Sequence, residues 1–113
     1  MAEELIKRYI ETARRHGEGT RTGDYKKANR AYDALARLLQ EITAASCDED
    51  LFELYDDDEP WVQSWAAAHT LEIDEQRAVK KLQELMASGL AHVSIDEKYI
   101  LQEWRSGALR FRE

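Results

Sequence analysis

The residues with chemistry to offer in this chain are three histidines, one cysteine and a dense run of carboxylates. His16, His69 and His92 lie in three different stretches, and none forms the H-E-x-x-H pair that sets two imidazoles on one helix face around zinc. Cys47 has no second cysteine to close a disulfide and no C-x-x-C to hold a metal. As a nucleophile it would need a histidine brought beside it by the fold. The simpler reading is a small, semi-buried side chain near a helix start. His69, one step beyond Ala66, Ala67 and Ala68, reads as a hydrogen-bonded residue at the core boundary. The acids of residues 48–58 lack the D-x-[DN]-x-[DN]-G spacing and the glycine that an EF-hand loop requires. There is no glycine-rich phosphate loop either. The expectation is therefore no catalytic residue, no cofactor and no metal. An enzyme using His69 or Cys47 with nearby carboxylates is the rival reading.

The acids themselves carry more information. Residues 48–59 (DEDLFELYDDDE) hold eight acids and no base, while the remaining 101 residues sum to +1, for a net charge of −7. Asp48, Glu49 and Glu59 fall near helix starts, where the dipole favours anions. Asp56, Asp57 and Asp58 fall just past the end of a short helix, where it disfavours them by about 0.3–1 kcal/mol each. The N-terminus of the next helix offsets part of that cost, so the run reads either as a solvated helix junction or as a surface for a basic protein, which the charges would steer and select. The expected surface comprises Glu53, Asp56, Asp57, Asp58, Glu59 and Trp61. Trp61 and Trp65 are four apart and share a helix face. Trp65, beside three alanines, is expected in the core; Trp61, in a first turn next to the acids, is expected to be partly exposed as an interface anchor. Nucleic acid and anionic membrane are excluded as partners, because both gain affinity from Lys and Arg. Lys26, Lys27, Arg30 and Arg37 lie along one helix but are interrupted by Asp33 and Glu41, which reads as a solvated face.

These residues need elements to position them. With 113 residues, 43% hydrophobic and 35% charged, residues 1–113 form a single globular domain. The start carries no apolar signal segment and no stretch nears 18 apolar residues, so a cytoplasmic protein is expected. Leu5, Ile6, Tyr9, Ile10 and Ala13 predict a helix over residues 3–16, and HGEGTRTGD, with three glycines, predicts a loop. From Asp24 to about Ala45 a long helix is expected, with Tyr25, Ala28, Tyr32, Leu35, Leu39 and Ile42 on its apolar stripe. Ser46 and Glu49 match the S-x-x-E capping box before a short helix through Leu51, Phe52, Leu54 and Tyr55. Pro60 suits the first position of the next helix, which runs to about Leu71. Asp74 caps a fifth helix bearing Ala78, Val79, Leu82, Leu85 and Met86, ended by Gly89. Ser94 and Glu97 form a second box before a sixth helix, which carries Ile100, Leu101 and Trp104 and is closed by Gly107. Six helices with short connections make an all-α domain with antiparallel neighbours.

Residues 58–71, DEPWVQSWAAAHTL, resemble the second helix of a HEAT-like repeat, with Gln63 where that pattern usually has arginine. A longer resemblance is to the bacterial domain of unknown function 2019 family. It rests on Ala28, Asn29, Tyr32 and Asp33; on Trp65 to His69 with Leu71; and on Leu101, Glu103, Trp104, Arg105, Gly107 and Leu109. It implies an α-α superhelix of HEAT or armadillo type. It implies little about activity, because the family is uncharacterised; small domains of this kind are loosely associated with immunity proteins of bacterial toxin systems. Fold passes through such a resemblance more readily than function does. The expected role is a non-catalytic interaction module for a basic partner, with a ligand-free scaffold or homo-oligomer as the other alternative.

Overall fold

The first helix, α1, runs from Ala2 to Thr22 in the computed structural model, straight through two of the glycines expected to break it. That structure describes residues 2–88 and 91–107, with side-chain detail for 3–88, 98 and 100–107. Gly17 and Gly19 are contact points, not turn residues. A methyl group at Gly17 would overlap the ring of Trp61, and one at Gly19 would lie 2.8 Å from the backbone nitrogen of Ala28. Each glycine costs about 1 kcal/mol in a helix interior, and close approach of a neighbouring helix offsets that. The turn falls at Gly23, whose φ of 77° is left-handed. There the Asp24 N–H donates to the Gly19 carbonyl (2.8 Å) and the Gly23 N–H to that of Thr20 (3.4 Å), a Schellman closure.

Helix α2, Tyr25–Ala44, starts where expected, with the Asp24 carboxylate accepting the Lys27 N–H. It returns antiparallel along α1, and ion pairs mark both ends of the hairpin: Glu18–Lys27 at 2.9 Å near the turn and Arg8–Glu41 at 3.6 Å far from it. Ala28, Leu35, Leu39 and Ile42 are buried, with Ala31 and Leu38 beside them. Tyr25 and Tyr32, assigned to the same stripe, are 79% and 49% exposed. The buried arc is centred further round the helix, over the alanines that let α1 approach.

Neither predicted capping box exists. Ser46 sits at φ 59°, past the end of α2, where the Cys47 N–H donates to the Ile42 carbonyl (3.0 Å) and the Ser46 N–H to that of Thr43 (3.0 Å). It closes one helix and does not open the next. Ser94 and Glu97 lie inside the last helix, α5, which spans Ala91–Ser106; the spacing is coincidental. Gly89 lies outside the described residues.

Between α2 and the later helices runs η1, a 3-10 helix over Asp48–Asp56. Helix α3 is Pro60–His69, with proline in its first turn, and α4 is Glu75–Met86, capped by Asp74 accepting the Arg77 N–H at 3.2 Å. Met86, expected on the apolar face of α4, is exposed. The core lies where α3 crosses the α1–α2 hairpin and receives η1, α4 and α5. Val62, Ala66 and Ala67 of α3 are fully buried against Tyr9, Leu35, Leu51 and Leu82. There are no strands among the described residues, and no described helix is long and apolar enough to cross a membrane.

Candidate functional site

The acidic segment takes its shape from a three-residue rhythm. Asp50-Leu51-Phe52, Glu53-Leu54-Tyr55 and Asp56 place an acid every third position with two apolar residues between. A 3-10 helix has three residues per turn, so positions i and i+3 eclipse. Leu51 and Leu54 form one buried edge and Phe52 and Tyr55 another. Asp50, Glu53 and Asp56 are left on the third edge, a carboxylate row rising about 6 Å per step. Glu53 and Asp56 are exposed and Asp50 is half-buried.

That row is a ridge between two open clefts. On the α1 side, a cleft of about 720 Å³ is walled by Ile6 and Ile10, with Glu3 and Glu11 facing Asp50 and Glu53 and with Lys7 and Arg14 at its margin. On the α4 side, a shallower one of about 560 Å³ gathers Glu49, Glu53, Asp56 and Asp74 around Phe52 and Ile73. In it the Arg77 guanidinium lies 4.2 Å above the centre of the Phe52 ring and 5.7 Å from that of Tyr55. A cation on an aromatic face within an acidic hollow is thus already accommodated once by the chain itself.

Not all of the expected surface is available. Asp57 is half-buried: its carboxylate accepts the Glu59 N–H at 2.9 Å and stands 3.7 Å from the Arg14 guanidinium, while its carbonyl accepts the Gln63 side-chain amide at 2.5 Å. Gln63, where a HEAT-like helix usually has arginine, thereby ties the first turn of α3 to the segment before it. Asp57 holds a junction together, and its ion-pair partner lies on α1. Glu59 occupies the N-cap of α3, is half-buried and makes no side-chain capping bond. Asp58 is exposed.

Trp61 is the clear correction. It is 7% exposed and packs with Leu85 against the bare backbone at Gly17. A tryptophan in the first turn of α3 turns toward α1 because a glycine there leaves room for its ring. It is not an exposed anchor. Trp65, expected in the core, is half-buried and packs against the core from its edge. Its ring N–H donates to Nδ1 of His16 at 3.2 Å, and its ring contacts those of His16, Tyr32 and His69 at 5.0, 5.7 and 5.2 Å between centroids.

His16 and His69 belong to that aromatic cluster, and the side chain of His92 lies outside the described residues. His69, 1% exposed, bonds through Nδ1 to the Tyr9 hydroxyl at 2.7 Å. Burial holds the pKa of His16 below its ordinary value. Cys47 is half-buried at the start of η1, with its S–H directed to the Ala45 carbonyl at 3.4 Å. His16 and His69 are thus gathered at Trp65, and Cys47 sits at the α2–η1 junction. Among the described residues, no group of three or more His, Cys, Asp or Glu side chains is placed to hold a metal. The 3-10 ridge was not foreseen, although its signal, an acid every third residue, stands plainly in DLFELYD.

No family model matches the chain, and no curated protein matches it. Among solved structures, it is similar to the protein RPA1889 from Rhodopseudomonas palustris CGA009, at a TM-score of 0.88 over 97% of this chain and 93% of that one. The two sequences are 17% identical. Likeness at that level carries the fold and leaves function aside.

Proposed function

We infer that this chain is a non-catalytic protein-interaction module that binds a basic partner along the η1 ridge. The observation that supports this is the row Asp50, Glu53 and Asp56 between two clefts, each of which sets several carboxylates around a few apolar side chains, with Lys7 and Arg14 in one and Arg77 in the other. Ile6, Ile10 and Ile73 would take the stems of lysine or arginine side chains while the carboxylates take their heads. The binding set is Glu53, Asp56 and Asp58 with Asp50 and Glu11. Asp57 and Glu59 serve the junction, and Trp61 serves the core. An immunity-type protein neutralising a basic toxin in a bacterial cytoplasm is one concrete version, and membership of the domain of unknown function 2019 family, with its HEAT-like superhelix, is the lineage we propose for it. The enzyme reading is weaker, because His69 is sealed under α1 with its Nδ1 engaged by Tyr9.

The test is titration of the full chain with an arginine-rich peptide, followed by amide chemical shifts at about 20 mM and about 300 mM salt. The expected result is saturable shifts on residues 49–58 and on the Ile6–Ile10 turn, weakened at least tenfold by Glu53→Gln with Asp56→Asn and reduced by salt. Shifts spread evenly over the surface, unchanged in that variant, would overturn the assignment.

A further inference from the structure

The opposite charge is concentrated in a third cleft, of about 480 Å³, between the later turns of α1 and the first turns of α2. Arg15, Lys26, Lys27 and Arg30 line it, with Asp24 as the lone acid and Ala31 and Ala34 as a small apolar floor. Two of its charges are already engaged: the Asp24 carboxylate accepts the Lys27 N–H, and the Lys27 ammonium pairs with Glu18 at 2.9 Å. Arg15 gives one N–H to the Thr12 hydroxyl at 3.4 Å, which leaves most of its guanidinium fork uncommitted. Lys26 and Arg30 make no ion pair among the described residues.

The placement of these cations runs against folding. The first turn of α2 contains no acid and two lysines, at the helix end whose dipole repels positive charge. In a chain of net charge −7, Arg15, Lys26 and Arg30 gather in one cleft with a single acid, and Lys26 stands at the helix end that disfavours its charge. We propose that this cleft is a binding site for a small organic phosphate, held by Arg15, Lys26 and Arg30. Two guanidinium forks and an ammonium match the oxygens of a phosphate dianion, since arginine binds such groups bidentately. The alanine floor gives room for the organic group to which the phosphate is attached. An extended polyanion fits less well. It would need a run of cations beyond the cleft, and along α2 the next cation, Arg37, is preceded by Asp33.

The site is separate from the acidic ridge, and its test is independent of it. The full chain is titrated with glycerol 3-phosphate, and separately with inorganic phosphate, at ionic strength held constant with sodium chloride. The expected result is saturable amide shifts at residues 26–34 and a rise in melting temperature with both ligands, larger for glycerol 3-phosphate. Lys26→Gln with Arg30→Gln should weaken binding at least tenfold and leave the unliganded melting temperature equal or higher. Arg37→Gln, an exposed cation further along α2, should leave binding unchanged. A linear response that tracks ionic strength and is the same in the double variant would overturn the proposal. So would equal weakening by Arg37→Gln, or an oligonucleotide that binds the same residues more tightly than either phosphate, which would make the cleft part of a polyanion surface.

Discussion

Ser46 and His16 show how much one side chain depends on what surrounds it. Ser46 was expected to open a helix, and its hydroxyl was the reason. In the structure its backbone matters instead, because the position is left-handed and closes α2. Glycine meets that conformation without the steric cost a β-carbon brings. Ser46→Gly is therefore expected to stabilise the fold by about 0.5–1 kcal/mol, the relief of the strained φ outweighing the added freedom of the unfolded chain; chemical denaturation measures it, and a loss would contradict the assignment. His16 accepts the Trp65 ring N–H and is largely buried, which lowers its pKa. The unfolded chain then binds a proton at a pH where the folded one does not. Stability should be fully present above the unfolded value of about 6.5 and should fall as pH drops from there through the folded value. Melts between about pH 7.5 and about pH 5 should show this decline. His16→Gln, which keeps an acceptor for the indole and removes the titration, should flatten the slope.

At the scale of elements, helix α1 holds the main lesson. The stretch HGEGTRTGD contains three glycines, and local propensity alone makes it a loop. Two of those glycines continue the helix because other elements lie against them: the Trp61 ring on Gly17 and the α2 backbone on Gly19. Gly17→Ala should raise local helix propensity and still destabilise, by about 1–3 kcal/mol, since a fully packed site receives a methyl group. Pairing it with Trp61→Ala should recover part of the loss, and a double-mutant cycle reads the coupling. If Gly17→Ala alone stabilised the protein, the packing described here would be wrong. The 3-10 helix makes the complementary point. Its acid-apolar-apolar rhythm was legible, but a period of three passes for an imperfect amphipathic turn unless the shorter helix is considered.

At the scale of the whole molecule, charge is segregated: an acidic ridge with its clefts on η1, and a basic cleft between α1 and α2. Self-repulsion along the ridge should be measurable without any partner. Glu53→Gln with Asp56→Asn is expected to raise the melting temperature at low salt, with the gain shrinking as ionic strength rises. Asp57→Ala should do the opposite at both salt levels and cost about 1–3 kcal/mol, because the Glu59 N–H and Arg14 lose their acceptor. Equal behaviour of the two variants would erase the division between surface and junction acids.

The sequence by itself determined the helical class, the helices that begin at Asp24, Pro60 and Asp74, and the location of the acidic charge. Those properties depend on residues within one or two turns of each other, through apolar spacing, capping side chains and proline's missing N–H. Only the tertiary structure decided the length of α1, the burial of Trp61 and the separation of Asp57 from its exposed neighbours. Each of these depends on an atom far away in the chain: Gly17 and Trp61 are 44 positions apart, and Arg14 and Asp57 are 43. Their energies arise where separate elements touch, and local pattern carries no record of which surfaces will meet.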